Sequence, residues 1–321
     1  MNRIKIFGVL ISLMLSANAS GCLNKLACSL ILPASTFEKP PILSETDIKN
    51  SYSLSQDWEI KPKMIGTGSS KRLDSVQITP PGFKSSNKQS VIIVFNPNAA
   101  LWQDMLPDMI TWAKDLNAMI VGFNFRGVGL SESYPNKSSD LVKDGISIVE
   151  HVRQQTDASV VLYGRSLGGS IASYVANHMH KKGLDLKLFI DRSFRKLSSA
   201  ANDIITRAQE QGKKMNTWEG HLFALAPIPS LAKFGLVLSR WSLNTEKEFL
   251  AIPKSRRVAI YVSNDEMFPF KQSLCSALPK DEQKWLFLGS HNQSLNSIKH
   301  HKISGLSGTS LFYNFVLNDK I

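Results

Sequence analysis

Cysteine is scarce in this chain. Cys22, Cys28 and Cys275 are the only three among 321 residues, and an odd number cannot all pair within one molecule. No Cys/His spacing suited to a metal ion occurs, so neither a metal nor any other cofactor is expected. Acidic residues are in deficit, with 26 Asp and Glu against 38 Lys and Arg and a net charge of +12. A surface of that sign favours anionic neighbours. There is no zinc finger, no aromatic RNA-binding signature and no basic helical run, which removes nucleic acid from the expected partners. A phospholipid surface fits the charge better. No internal repeat is visible, and the apolar run near the amino terminus, residues 6 to 15, is too short to span a bilayer comfortably.

What is present begins with that leader. Arg3 and Lys5 precede the apolar run and small residues follow it, the layout of a secretory signal peptide over residues 1 to 21. Two cleavage readings stand. Ala17-Asn18-Ala19 suits an ordinary signal peptidase and leads to a periplasmic or secreted protein. Ala19-Ser20-Gly21-Cys22 resembles a bacterial lipobox, with Cys22 as the lipidated first residue. The second is the favoured expectation, and it places the chain in the cell envelope as an exported, membrane-anchored lipoprotein.

Length and a hydrophobic content of 43% support one large α/β domain with an insertion. Residues 22 to 56 are Ser-, Pro- and Lys-rich and predict a linker or N-terminal arm. Residues 57 to 191 and 257 to 321 alternate apolar strands with helical patterns, as a mostly parallel sheet with crossover helices requires. Strands are expected at 58–65 and 72–78 as an edge pair, then at 91–95, 119–123, 159–163, 186–190, 258–262 and 285–288, the last of them. Helices are expected at 102–116, at 140–153 with Ser138 and Ser139 as candidate caps, and at 311–316. Residues 192 to 256 interrupt the alternation with about three helical stretches, including an apolar run at 222 to 238, and read as a helical lid inserted over a site.

The central motif is Gly164-Arg165-Ser166-Leu167-Gly168. A short β-branched strand precedes it, and Ile171, Ala172, Val175 and Ala176 follow at helical spacing. That arrangement is a nucleophile elbow: the serine occupies a strained turn, and the flanking positions need almost no side chain if strand and helix are to approach. A serine hydroxyl also needs a base within hydrogen-bond reach and an acid to hold that base's tautomer. In this kind of sheet the chain order is Ser, acid, His. Asp265, short and first in the loop after its strand, is the favoured acid; Glu266 is beside it, and Asp191 at the end of the preceding strand is the alternative. His291, directly after a strand and close to Gly289, is the favoured base, with His300 and His301 as alternatives. An oxyanion hole is expected from the N–H of Leu167 and one from the loop after residue 95. Pro97 has no N–H, so Asn98 is the candidate and Ala99 the next. Arg126-Gly127-Val128-Gly129 lacks the third glycine and the Lys-Ser pair of a phosphate loop and reads as a tight structural turn.

Taken together, Asn98-Ala99, the run from Asn124 to Ser131, Gly164-Arg165-Ser166-Leu167-Gly168-Gly169, the run from Asn264 to Pro269, and His291-Asn292 resemble the α/β-hydrolase superfamily of serine hydrolases. The resemblance covers residues 57 to 318. It implies an α/β-hydrolase fold and an esterase- or lipase-like acyl hydrolase with Ser166, Asp265 and His291 as its triad. Residues 140–152 and 189–194 are also similar to hydrolase-like proteins of intracellular bacteria of the Legionella and Chlamydia type. Two functional classes follow, because a fold does not fix a function. One is a carboxylic ester hydrolase acting on an acyl ester or lipid at a membrane surface. The other is a non-catalytic interaction or effector protein on the same scaffold.

Overall fold

A computed structural model of the chain describes residues 31–68, 71–86, 88–201, 203, 206, 240–282 and 285–318. The leader, with Cys22 and Cys28, and the apolar run at 222–238 lie outside the described residues. The strands are β1 (Glu59–Gly66), β2 (Arg72–Thr79), β3 (Ser90–Phe95), β4 (Met119–Phe123), β5 (Ser159–Arg165), β6 (Leu186–Asp191), β7 (Arg257–Asn264), β8 (Leu286–Ser290) and β9 (Lys299–His300). They form one sheet in the order β1-β2-β4-β3-β5-β6-β7-β8-β9. Neighbours from β4 to β8 run parallel. The pairings of β1 with β2, β2 with β4, and β8 with β9 are antiparallel.

The composition of β3 explains its place in the interior of the sheet. After Ser90 it is wholly apolar; Val91, Ile93 and Phe95 face one buried cluster while Ile92 and Val94 face another. A strand covered on both faces needs that continuous run rather than alternation. On the first face lie α3 (Ser138–Arg153) and α4 (Leu167–Lys181), which contribute Leu141, Ile148, Ile171 and Val175. The opposite face is covered by α2 (Leu106–Leu116) and α6 (Gly308–Leu317), through Met109, Trp112, Phe312 and Phe315. The sheet is therefore mostly parallel with crossover helices on both sides, the α/β arrangement expected from the alternating pattern.

Several local expectations change. β2 is interior, because it pairs with β1 on one side and β4 on the other; of that pair only β1 lies at an edge. The alternating pattern of β2 suggested an edge, but the polar Asp74 and Ser75 are buried and satisfied, Asp74 by the Asn124 amide at 2.8 Å and Ser75 by the Lys63 carbonyl at 2.7 Å. β8 is not the last strand, since the short β9 returns against it. Residues 102–105 form a 3-10 turn, and α2 starts only at Leu106 with Pro107 in its first turn, where no backbone donor is needed. Ser138 does not cap α3. It lies inside the first turn and donates to the carbonyls of Arg240 and Ser242.

The described part of the N-terminal segment is an arm folded onto the body. Leu32 and Ala34 enter one core cluster, and α1 (Glu45–Ser51), closed by a capping box of Ser44 and Asp47, places Ile48 in the other. The described ends of residues 192–256 also pack down rather than projecting. Lys196 bridges Asn244, and α5 (Thr245–Leu250) lies on α4, with the Thr245 hydroxyl bonded to Ser170 at 2.7 Å and the Asn177 amide to Glu248 at 2.5 Å.

Candidate active site

Ser166 stands between β5 and α4 with φ 53° and ψ −119°. A non-glycine residue in that region carries strain of about 1–3 kcal/mol and persists only where the surroundings over-determine it. Here they do. The Ser166 N–H donates to the Asp191 carbonyl at 3.0 Å, and its own carbonyl accepts from Gly169 at 3.1 Å and from the Ser193 hydroxyl at 2.7 Å. The flanking glycines are required by contact: a Cβ on Gly164 would stand 2.6 Å from the Gly169 Cα, and one on Gly168 would stand 2.1 Å from the Phe95 carbonyl oxygen. The Ser166 hydroxyl makes no capping bond to its own helix, although serine at an N-cap ordinarily does.

The acid and the histidine come from the carboxyl ends of β7 and β8. Asp265 follows β7 and accepts the N–H groups of Met267 and Phe268 through Oδ1, at 2.9 and 2.7 Å. Its other oxygen, Oδ2, is 3.0 Å from Nδ1 of His291. Such a carboxylate contact holds the proton on Nδ1 and leaves Nε2 as the lone-pair nitrogen. His291 is 5% exposed and packs edge-on against Phe268. Glu266 takes a different part, accepting the His291 N–H at 2.8 Å and the Asn292 amide at 3.0 Å. Burial pushes its carboxyl up, but backbone donors, that of His291 among them, outweigh it and leave its pKa below the ordinary value.

The alternatives named from sequence are engaged elsewhere. Asp191 is fully buried and bound by Arg192 through both carboxylate oxygens, at 2.6 and 2.7 Å, with the Tyr163 hydroxyl at 2.7 Å. Burial alone would raise its pKa; the Arg192 charge and hydrogen bonds, Arg165 and Tyr163 reverse that, so it lies below the usual carboxylate range. His300 accepts the N–H groups of Lys302 and Ile303 on Nδ1, which holds the turn after β9, and His301 contacts the Leu286 carbonyl at the start of β8.

Leu167 opens α4, so its N–H is one of the first-turn donors without an intrahelical acceptor. Asn98 lies in the turn after β3, and its carbonyl accepts from Ala34 at 3.2 Å. The contact of Gly168 with the Phe95 and Asn96 backbone brings that turn beside the helix start. Arg126-Gly127-Val128-Gly129 forms a tight turn, with Gly127 and Gly129 at φ 76° and 58°. Both the backbone and the guanidinium of Arg126 bind buried Asp144. Sequence reasoning missed Arg165 and Arg192, which donate to carbonyls of the histidine loop. The adjacent Asp191-Arg192 pair at a strand end was the available signal.

No protein-family model matches the chain. In sequence it is similar to "Uncharacterized protein YfhR" of Escherichia coli O157:H7, at 24% identity over 153 residues, 47% of this chain and 53% of that protein. The match thus spans about half the length of that relative. In structure it is similar to the esterase Pf2001 of Pyrococcus furiosus, with a TM-score of 0.56 and 14% identity over 79% of this chain and 88% of the other. An alpha-beta hydrolase from Vibrio vulnificus gives a TM-score of 0.53 and 14% identity over 76% and 77%. At these identities the likeness speaks for the fold.

Proposed function

We propose that this chain, which has the α/β-hydrolase fold, is a serine hydrolase that cleaves a carboxylic ester through an acyl-enzyme. The observation that carries the reading is the 3.0 Å contact between Asp265 and Nδ1 of His291, in a fold where Ser166 occupies a strained elbow. Ser166 Oγ attacks the ester carbonyl while its proton passes to Nε2 of His291. The N–H groups of Leu167 and Asn98 receive the oxyanion, as preorganised donors aimed at developing charge do. Collapse of the tetrahedral intermediate expels the alcohol, which takes the proton from the imidazolium. Water, deprotonated by the same nitrogen, then releases the acid and restores Ser166. Asp265 holds the imidazole orientation throughout.

The substrate class we assign is a lipid or other acyl ester at a membrane surface. The net charge of +12 supports this, because it favours anionic phospholipid, and so does the lipobox-like run ending at Cys22. An envelope lipoprotein would hold its catalytic domain beside such a substrate.

A fluorophosphonate probe tests the mechanism directly. Purified wild-type chain should label, and Ser166→Ala should fold, lose the label and lose ester turnover. Full labelling of Ser166→Ala would refute the assignment of the nucleophile. Folded wild-type chain that neither labels nor turns over esters would favour a non-catalytic interaction protein instead.

A further inference from the structure

Between the elbow and the histidine loop sits a cluster of charges that the proposed chemistry does not use. Asp191, at the end of β6, anchors it. Nε and one terminal nitrogen of Arg192 grip its two oxygens, and Nε of Arg165 approaches to 3.9 Å. Each arginine then reaches outward with a terminal nitrogen. Arg192 donates to the carbonyls of Ser290 and Gln293 at 2.9 and 2.8 Å; Arg165 donates to those of His291 and Gln293 at 2.6 and 3.3 Å. Three carbonyls at and around His291 are thus held by two guanidinium groups that share one buried carboxylate.

The placement links the two halves of the site. Arg165 immediately precedes Ser166, and the Ser166 N–H is bonded to the Asp191 carbonyl. Arg192 adopts φ 52°, beside Ser166 at φ 53°, so two strained residues are locked across neighbouring strand ends. Guanidinium suits the task because it stays charged and presents several donors in a fixed plane. It can hold a carboxylate on one edge and carbonyls on another. An ammonium group would not span both.

We propose that Asp191, Arg165 and Arg192 form a positioning clamp that fixes the His291 loop against the residue before the nucleophile. This rests on the reading of Ser166 as nucleophile and His291 as base. The three are positioning residues that act by setting where the imidazole stands, and a misplacement of about 1 Å at a reacting group can cost about 10²-fold.

The test uses the full chain with Arg165→Ala, read by amide hydrogen exchange and by p-nitrophenyl acetate kinetics. Exchange in residues 289–294 should rise at least about tenfold while β3 and β5 stay protected, and kcat should fall by about 10²-fold with KM little changed. Added ethylguanidinium should restore part of both. Where Arg165→Ala does not fold, Arg165→Lys should show the same pattern more weakly. Unchanged exchange at 289–294, or faster exchange throughout the sheet without rescue by ethylguanidinium, would overturn the clamp. A wild-type chain without turnover would sink the hydrolase reading alone, since the exchange of 289–294 would still decide the clamp.

Discussion

Replacing Gly168 by alanine sets two known effects against each other. Within a helix, alanine is favoured over glycine by about 0.8–1.0 kcal/mol. The added methyl, however, would lie 2.1 Å from the Phe95 carbonyl oxygen and 2.5 Å from that of Asn96, where comfortable contact is about 3.5 Å. Both obstacles are backbone of β3 or the turn that leaves it, and β3 is paired on both sides with β4 and β5. Neither can rotate aside, so strand and helix must separate by about 1.4 Å to restore ordinary contact. Overpacking of this kind costs about 3 kcal/mol at the upper end of its usual range. Subtracting the helical gain leaves a net loss of about 2 kcal/mol, or about 3 °C in Tm for a chain of this length, since unfolding entropy grows at about 2.1 cal/mol/K per residue. The same displacement draws the Leu167 N–H away from the turn that carries Asn98, so fluorophosphonate labelling should slow by about tenfold or more. Urea unfolding and labelling rate measure the two effects, with Gly66→Ala as control, because nothing lies within 4 Å of a Cβ there. If Gly168→Ala is as stable as wild type and labels at the same rate, the close approach that defines the elbow is wrong.

Combining Ser166→Ala with His291→Ala should cost no more turnover than either change alone, each being several orders of magnitude; multiplied losses would show that the two do not act as a unit. Arg126→Met leaves Asp144, which is 0% exposed, without its guanidinium partner, and should cost about 3–5 kcal/mol in urea unfolding. Adding Asp144→Leu to that variant should recover most of the loss, whereas no recovery would mean the cost is not that of a stranded charge. Cys22→Ser should move the protein from the detergent to the aqueous phase; equal partition, with mass spectrometry showing cleavage after Ala19, would remove the lipid anchor.

What the sequence determines here is local. Gly164 and Gly168 bracket Ser166 within five residues, and a strand, a strained turn and a helix start are specified by neighbours in the chain. The apolar runs of β3 and β4 likewise announce strands buried on both faces. Polar residues are less legible, because their meaning depends on distant partners. Asp74 and Ser75 interrupt the apolar pattern of β2, yet they are buried there with Asn124 and the Lys63 carbonyl as partners. Ser138 resembled a cap but bonds to Arg240 and Ser242, about a hundred residues away.

The site divides in the same way. Asp191, Asp265 and Glu266 all stand at the carboxyl ends of strands; length and place in the loop favour Asp265, but the neighbouring residues do not show which of them meets the histidine. Tertiary structure does: Asp191 is enclosed by Arg192 and Tyr163, Glu266 meets the backbone N–H of His291, and Asp265 meets its ring. Periodicity and turn chemistry act over one strand or one helical turn. The bond from Asp265 to His291 spans 26 residues and that from Arg165 to His291 spans 126. Those distances are closed by the sheet order that sets β5, β6, β7 and β8 side by side, so which carboxylate meets which histidine is decided only when the sheet has formed.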